Sequence, residues 1–293
     1  MERRIFGNTR LSVSILGFGA GHIGSEPMDE SMVGSLLNGI LDMGVNFIDT
    51  ARAYGISEQR IGKFIAHRRK EFILSTKVGY DVQWKPDWTF DSVIRGVEEA
   101  LIRMKTDYID IVHLHSCSRV ILEQGDVIDA LEKAKKEGKT RFIAYSGEND
   151  ALDYAIASGR FDSIQCSVNL FDQRVIGRQL LLAEESGLGV IAKRPIGNAP
   201  WRFEIQPTGH YCEPYWLRWK KMKLDPGETG WNELAIRFAA FTPGVSTSIA
   251  GTSRIEHFRE LAKAVLKGPL DKEWQEKIRD AFQANDDQWS GQI

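Results

Sequence analysis

The chain has 293 residues, 42% of them hydrophobic and 27% charged, enough apolar material for one large core behind a charged surface. Its 38 basic and 40 acidic side chains nearly cancel, which argues against a nucleic-acid or anionic-membrane partner. The start, Met1-Glu2-Arg3-Arg4-Ile5-Phe6-Gly7, lacks the apolar stretch of a signal peptide. No window approaches the roughly 18 apolar residues of a membrane span, so a soluble, cytoplasmic protein is expected.

In chain order, residues 3–7 and 11–14 read as a small hairpin around Gly7-Asn8-Thr9-Arg10. Residues 15–19 form a buried strand. The helix at 30–43 follows, with Met32, Val33, Leu36, Leu37, Ile40 and Leu41 on one face. Strand and helix then alternate. Strand 46–49 precedes helix 58–67, strand 72–76 precedes 90–104, and strand 109–114 precedes 127–137. Strand 140–145 precedes 151–157, strand 163–168 precedes 175–186, strand 189–192 precedes 231–241, and strand 245–249 precedes 255–266.

Eight such units imply parallel pairing with helical crossovers, best closed as an α/β (β/α)8 TIM barrel. No linker divides the chain, so residues 1–293 are expected to form a single domain, with an extra C-terminal helix at 271–284. Between the seventh strand and its helix, residues 198–230 carry Trp201, Tyr211, Tyr215, Trp216 and Trp219. This long segment reads as an active-site cover with a short helix near 215–221; the alternative is an insertion capping the rim without touching ligand. Trp84, Trp201 and Trp216, with His22 near the first strand end, are candidate substrate-pocket residues. The three cysteines, Cys117, Cys166 and Cys212, are too few and too scattered for a disulfide framework or metal cluster.

The strongest chemical signal is at strand ends, where a barrel places its active site. Asn46-Phe47-Ile48 ends at Asp49, and the turn behind it presents Tyr54 followed by Gly55. Ile73-Leu74-Ser75-Thr76 ends at Lys77, and Ile111-Val112-His113-Leu114 ends at His115. A free tyrosine has a pKa near ~10, and a nearby ammonium favours its phenolate. Lys77 would supply that charge, Asp49 would hold Lys77, and His115 would orient a carbonyl oxygen. An acid tuned in this way, with no metal ligand set beside it, suits protonation of a carbonyl oxygen while hydride arrives from a cofactor.

Phe47-Ile48-Asp49-Thr50-Ala51 with Tyr54-Gly55, Ser75-Thr76-Lys77, and Asp110-Ile111-Val112-His113-Leu114-His115 resemble the aldo-keto reductase family in order and spacing, and the likeness runs over essentially the whole chain. The resemblance implies a tetrad of Tyr54, Lys77, Asp49 and His115, with Tyr54 as general acid/base. It also implies a nicotinamide cofactor, usually NADPH, and a small carbonyl or alcohol substrate. Ser146 and Gln165 match the carboxamide positions, with Gly147 where many members have asparagine. Ala192-Lys193-Arg194-Pro195-Ile196-Gly197 matches the segment after strand seven, which implies cofactor contacts for Lys193 and Arg194, with Lys193 replacing the tyrosine that stacks on nicotinamide in many members. Gly251-Thr252-Ser253-Arg254 with His257 and Glu260 resembles the adenosine-phosphate segment, with Leu261 where the family often has asparagine. Arg254 and His257 would favour NADP(H) over NAD(H), since a helix start attracts anions.

Three rivals remain. Gly19-Ala20-Gly21-His22-Ile23-Gly24 formally matches a dinucleotide fingerprint, but Ser25-Glu26-Pro27-Met28-Asp29 separates it from the helix it should open. His113 and His115 face one side of a strand end, as in metal-dependent barrel hydrolases, although no convincing further ligands accompany them, and no metal is expected. A non-catalytic nicotinamide-binding sensor or accessory subunit is the third. No self-complementary apolar stripe stands out, which leaves monomer as the default.

Overall fold

The computed structural model describes residues 1–293. Strands β1 (Arg3–Ile5) and β2 (Ser12–Ser14) pair antiparallel, Arg3 opposite Ser14. Eight parallel strands follow: β3 (Leu16–Gly19), β4 (Phe47–Asp49), β5 (Ile73–Val78), β6 (Ile109–His115), β7 (Thr140–Ser146), β8 (Ser163–Ser167), β9 (Gly189–Lys193) and β10 (Thr247–Ala250). Each pairs with the next, and β10 closes on β3 with Ile249 opposite Gly17, so the expected (β/α)8 barrel is what forms.

The crossover helices are α1 (Glu30–Asp42), α2 (Ser57–Phe64), α3 (Phe90–Met104), α5 (Asp126–Lys136), α6 (Asn149–Ala157), α7 (Gln179–Glu185), α9 (Trp231–Ala240) and α10 (Ile255–Leu266). Local chemistry starts several of them: Asp29 accepts from Met32 N at α1, and Thr89 and Ser92 cap α3 reciprocally. A short helix, α4 (Arg119–Gln124), precedes α5 and was not expected; it stops at Gly125, whose φ of 87° is left-handed. The long segment after β9 contains α8 (Glu213–Met222), near the short helix foreseen there, and α11 (Lys272–Gln283) ends the helical series.

Side chains alternate along a strand, so inward positions recur every second residue. Along the barrel strands such positions hold Phe47, Ile73, Ile111, Ala144, Ile191 and Ile249, which pack with Phe6, Leu11 and Val13 of the hairpin region into one buried cluster. The hairpin therefore plugs the N-terminal end of the barrel. Continuing the alternation toward the other end, Phe47 leads to Asp49, Ile73 to Ser75 and Lys77, Ile111 to His113 and His115, and Ala144 to Ser146. The interior is apolar below and polar above. Asp110 falls on the opposite face of β6, where it accepts from Leu74 N at 2.9 Å and pairs with Arg69 at 2.6 Å and Arg141 at 2.8 Å.

Candidate active site

The loop after β4 is held by backbone contact between two glycines. A Cβ on Gly24 would sit 1.9 Å from the Tyr54 carbonyl oxygen, and one on Gly55 would sit 2.3 Å from the Gly24 carbonyl oxygen. Gly55 also has a φ of 50°, and Ile56 N donates to Gly24 O at 3.1 Å. The third glycine of the apparent dinucleotide fingerprint thus seats the tyrosine loop; Ala20–Gly24 is a 3-10 turn, not a phosphate-binding helix start.

Lys77, fully buried, donates from Nζ to Asp49 Oδ2 at 2.5 Å and to Thr50 O at 2.8 Å, and its Nζ lies 5.2 Å from the centre of the Tyr54 ring. Burial opposes its charge, but the Asp49 carboxylate and the Tyr54 phenol outweigh that and raise its pKa. The other Asp49 oxygen accepts from Ser75 Oγ at 2.8 Å, and the same Oγ lies 3.0 Å from His113 Nε2. His113 is thus tied beneath the site, as a hydrogen-bonded wall residue. His115 meets Tyr54 edge-on at 5.9 Å, and its Nδ1 lies 2.9 Å from Tyr80 Oη. Burial, then the Lys77 ammonium, lowers the His115 pKa to about 2, so its imidazole is neutral.

Asp49, Tyr54, Lys77 and His115 all line one cavity of about 930 Å³ at the C-terminal end of the barrel. Ser146, Gln165, Lys193 and Arg194 line it too, as do Gly251, Thr252, Ser253, Arg254, His257 and Glu260. Of the four proposed pocket residues, His22 and Trp201 line it; two do not. Trp84 is 91% exposed and outside the lining, with a left-handed φ of 62°. Trp216 is committed elsewhere, its Nε1 donating to Phe203 O at 3.0 Å and its ring packed on Trp219. The segment 198–230 nevertheless contributes Asn198, Ala199, Arg202, His210 and Tyr211 to the lining, which accords with a cover over the site. Tyr80, Asn232 and Ile293 were also missed. Tyr80 follows Lys77 by three residues, the only sequence hint it offered.

Glu148 is a further residue the sequence did not single out. Buried, it accepts from Ser167 N at 2.9 Å and Ser167 Oγ at 2.8 Å and faces Lys193 Nζ at 3.2 Å. Burial lowers the Lys193 pKa, although Glu148 counteracts it. The glycine at 147 also gains a physical cause. A Cβ there would lie 2.2 Å from Tyr145 Oη, which donates to Cys117 O at 2.8 Å, so no side chain fits.

The lining fits a nicotinamide cofactor. Gln165 Oε1 accepts from Ser146 Oγ at 2.8 Å, while its buried Nε2 has no partner, leaving a donor for a carboxamide oxygen. Gly251 admits His22 at its side, since a Cβ there would lie 2.8 Å from His22 Nδ1. Arg254 and His257 stand at the start of α10, where free N–H groups favour phosphate. No group of three or more histidine, cysteine or acidic residues is arranged to hold a metal ion. No helix is long and apolar enough to cross a membrane.

Comparison with known proteins gives a consistent picture. L-galactose dehydrogenase of Arabidopsis thaliana is 30% identical over 287 residues, covering 91% of this chain and 89% of that protein. A probable voltage-gated potassium channel subunit beta of the same plant is 30% identical over 308 residues, covering 92% of this chain and 93% of its own. The holo form of an aldo-keto reductase from Bacillus halodurans superposes with a TM-score of 0.82 at 29% identity, covering 96% of each chain. The model of the aldo/keto reductase family matches residues 15–282. The chain belongs to the aldo/keto reductase family of oxidoreductases.

Proposed function

We propose that the protein is an NADP(H)-dependent oxidoreductase that interconverts an aldehyde or ketone and the corresponding alcohol. The observation that carries this reading is the convergence of Tyr54, Lys77, Asp49 and His115 on the cavity that also holds the open Gln165 amide and the start of α10. When bound, the cofactor supplies hydride to the carbonyl carbon or accepts it from the alcohol carbon. Tyr54 Oη gives its proton to the carbonyl oxygen in reduction and recovers it in oxidation. Lys77, charged and anchored on Asp49 and Thr50 O, stabilises the phenolate left behind. The neutral His115 donates from Nε2 to the same oxygen and orients it. Ser146 and Gln165 position the carboxamide, and Arg254 with His257 favours a 2′-phosphate.

A tryptophan-fluorescence titration with NADPH and, separately, NADH tests the reading. Saturable quenching with tighter binding of NADPH is expected; no binding of either nucleotide overturns it. The second reading, an accessory subunit that binds nucleotide without turnover, draws support from the channel-subunit relative. A screen of aldehydes, ketones and aldoses, the last because one relative is named for L-galactose, separates the two. Turnover of any of these removes the accessory reading.

A further inference from the structure

One wall of the cavity carries more positive charge than the protein neutralises. Lys193 and Arg194, at the end of β9, share a single carboxylate: Glu148 Oε1 is 3.2 Å from Lys193 Nζ and 3.7 Å from Arg194 Nη1. Arg194 Nη1 is already engaged, donating to Ser167 Oγ at 2.8 Å and to the carbonyl of Gln292. These contacts use one corner of the guanidinium. No acidic side chain pairs with its Nε/Nη2 edge; Glu148, the one carboxylate within ion-pair distance, lies on the Nη1 side. Such an edge offers two parallel N–H groups, which a carboxylate accepts bidentately.

The surroundings suit a ligand. Arg194 lines the same cavity as Tyr54 and His115, and the Tyr211 ring lies 5.2 Å from its guanidinium carbon. Its backbone has a left-handed φ of 54°, sparsely populated for a side chain of this size. Two acidic side chains line the cavity. Asp49 is committed to Lys77, and Glu260 lies on α10 with the phosphate-side groups.

We propose that Arg194, with Tyr211 beside it, binds a carboxylate on the substrate, so that the substrates are aldehydes or ketones bearing an acid group. The inference rests on the oxidoreductase reading and gives Arg194 a substrate role in place of the cofactor role the family resemblance implies. A planar fork with one corner pinned discriminates by geometry as well as charge. A neutral carbonyl compound would leave the guanidinium edge desolvated and unpaired.

The test pairs two aldehydes of one shape, 4-carboxybenzaldehyde and 4-methylbenzaldehyde, with NADPH, in the wild type, Arg194→Gln and Arg194→Lys. Nucleotide affinity is followed separately by tryptophan quenching. In the wild type kcat/KM should favour the carboxylate by about 10- to 100-fold. The ratio should fall toward one in Arg194→Gln and recover in part in Arg194→Lys, with the NADPH Kd little changed. Equal use of the two aldehydes by the wild type, or a preference that survives Arg194→Gln, overturns the proposal. So does an NADPH Kd that weakens in Arg194→Gln while the ratio stays put, since that places Arg194 on the cofactor. Binding of unreactive 4-methylbenzoate, with and without NADPH, covers the case of no turnover. Binding that weakens about 10-fold or more in Arg194→Gln sustains the anion site while the oxidoreductase reading fails, and no binding overturns the site.

Discussion

Tyr80 Oη lies 2.9 Å from Nδ1 of His115, and the phenol ring lies nearly flat on the imidazole, 5.3 Å between centres at 25°. Burial, then the Tyr54 phenol nearby, pushes the Tyr80 pKa up to about 12, so its hydroxyl keeps its proton. The hydrogen-bonding neighbour of that hydroxyl is His115 Nδ1. Donation there would fix the imidazole as the Nε2–H tautomer, the one that presents a donor to a carbonyl oxygen.

Tyr80→Phe should therefore lower kcat/KM by about 10-fold, the value of one well-placed hydrogen bond, and leave the NADPH Kd unchanged. In a His115→Asn background, where no tautomer needs fixing, the further effect of Tyr80→Phe should vanish. An undiminished second effect would show that Tyr80 does not act through His115. Histidine ¹⁵N spectra of the free protein give the same answer without substrate.

Tyr54→Phe removes the only proposed proton donor. Turnover should fall by about 10²- to 10⁴-fold while nucleotide binding persists. Normal turnover in this variant would rule out Tyr54 as the general acid/base.

Arg254→Ala should weaken NADPH binding by about 10- to 100-fold and leave NADH binding nearly unchanged, because only the former carries the 2′-phosphate. Titrations of both nucleotides decide it: equal losses for the two would move Arg254 away from that phosphate.

Asp172 lies under the insertion, where Tyr215 Oη donates to its Oδ2 at 3.0 Å and Arg218 Nη1 lies 3.9 Å away. Burial, then the nearby Glu148 carboxylate, raises its pKa to about 7. The unfolded carboxyl titrates near ~3.9, so between these values the folded state binds the extra proton. The stability this contributes is complete below about 4 and is lost as pH rises through about 7. Urea denaturation at pH 5 and pH 8 should show a smaller loss across that interval in Asp172→Asn than in the wild type, by on the order of 1–3 kcal/mol. Parallel slopes in the two proteins would mean that Asp172 is ionised throughout.

The barrel and the positions of Asp49, Lys77 and His115 were legible because both follow from local periodicity. Apolar strands alternating with amphipathic helices fix the architecture, and the two-residue alternation within each strand carries Phe47 to Asp49 and Ile111 to His115 on the inner face. A residue in a long loop has no such period. Trp84 and Trp201 look alike in sequence, yet Trp201 lines the cavity while Trp84 stands in solvent, since only packing on distant elements chooses between those positions. The Tyr145 hydroxyl that excludes a side chain at Gly147 is likewise set by its bond to Cys117 O, across 28 residues. Tyr80 over His115, Glu148 shared by Lys193 and Arg194, and Gln292 pinning Arg194 join elements far apart in the chain. Sequence alone determined which groups reach the mouth of the barrel from strand ends. Tertiary structure decided which loop groups face them, because those contacts are made by closing the fold and leave no local pattern.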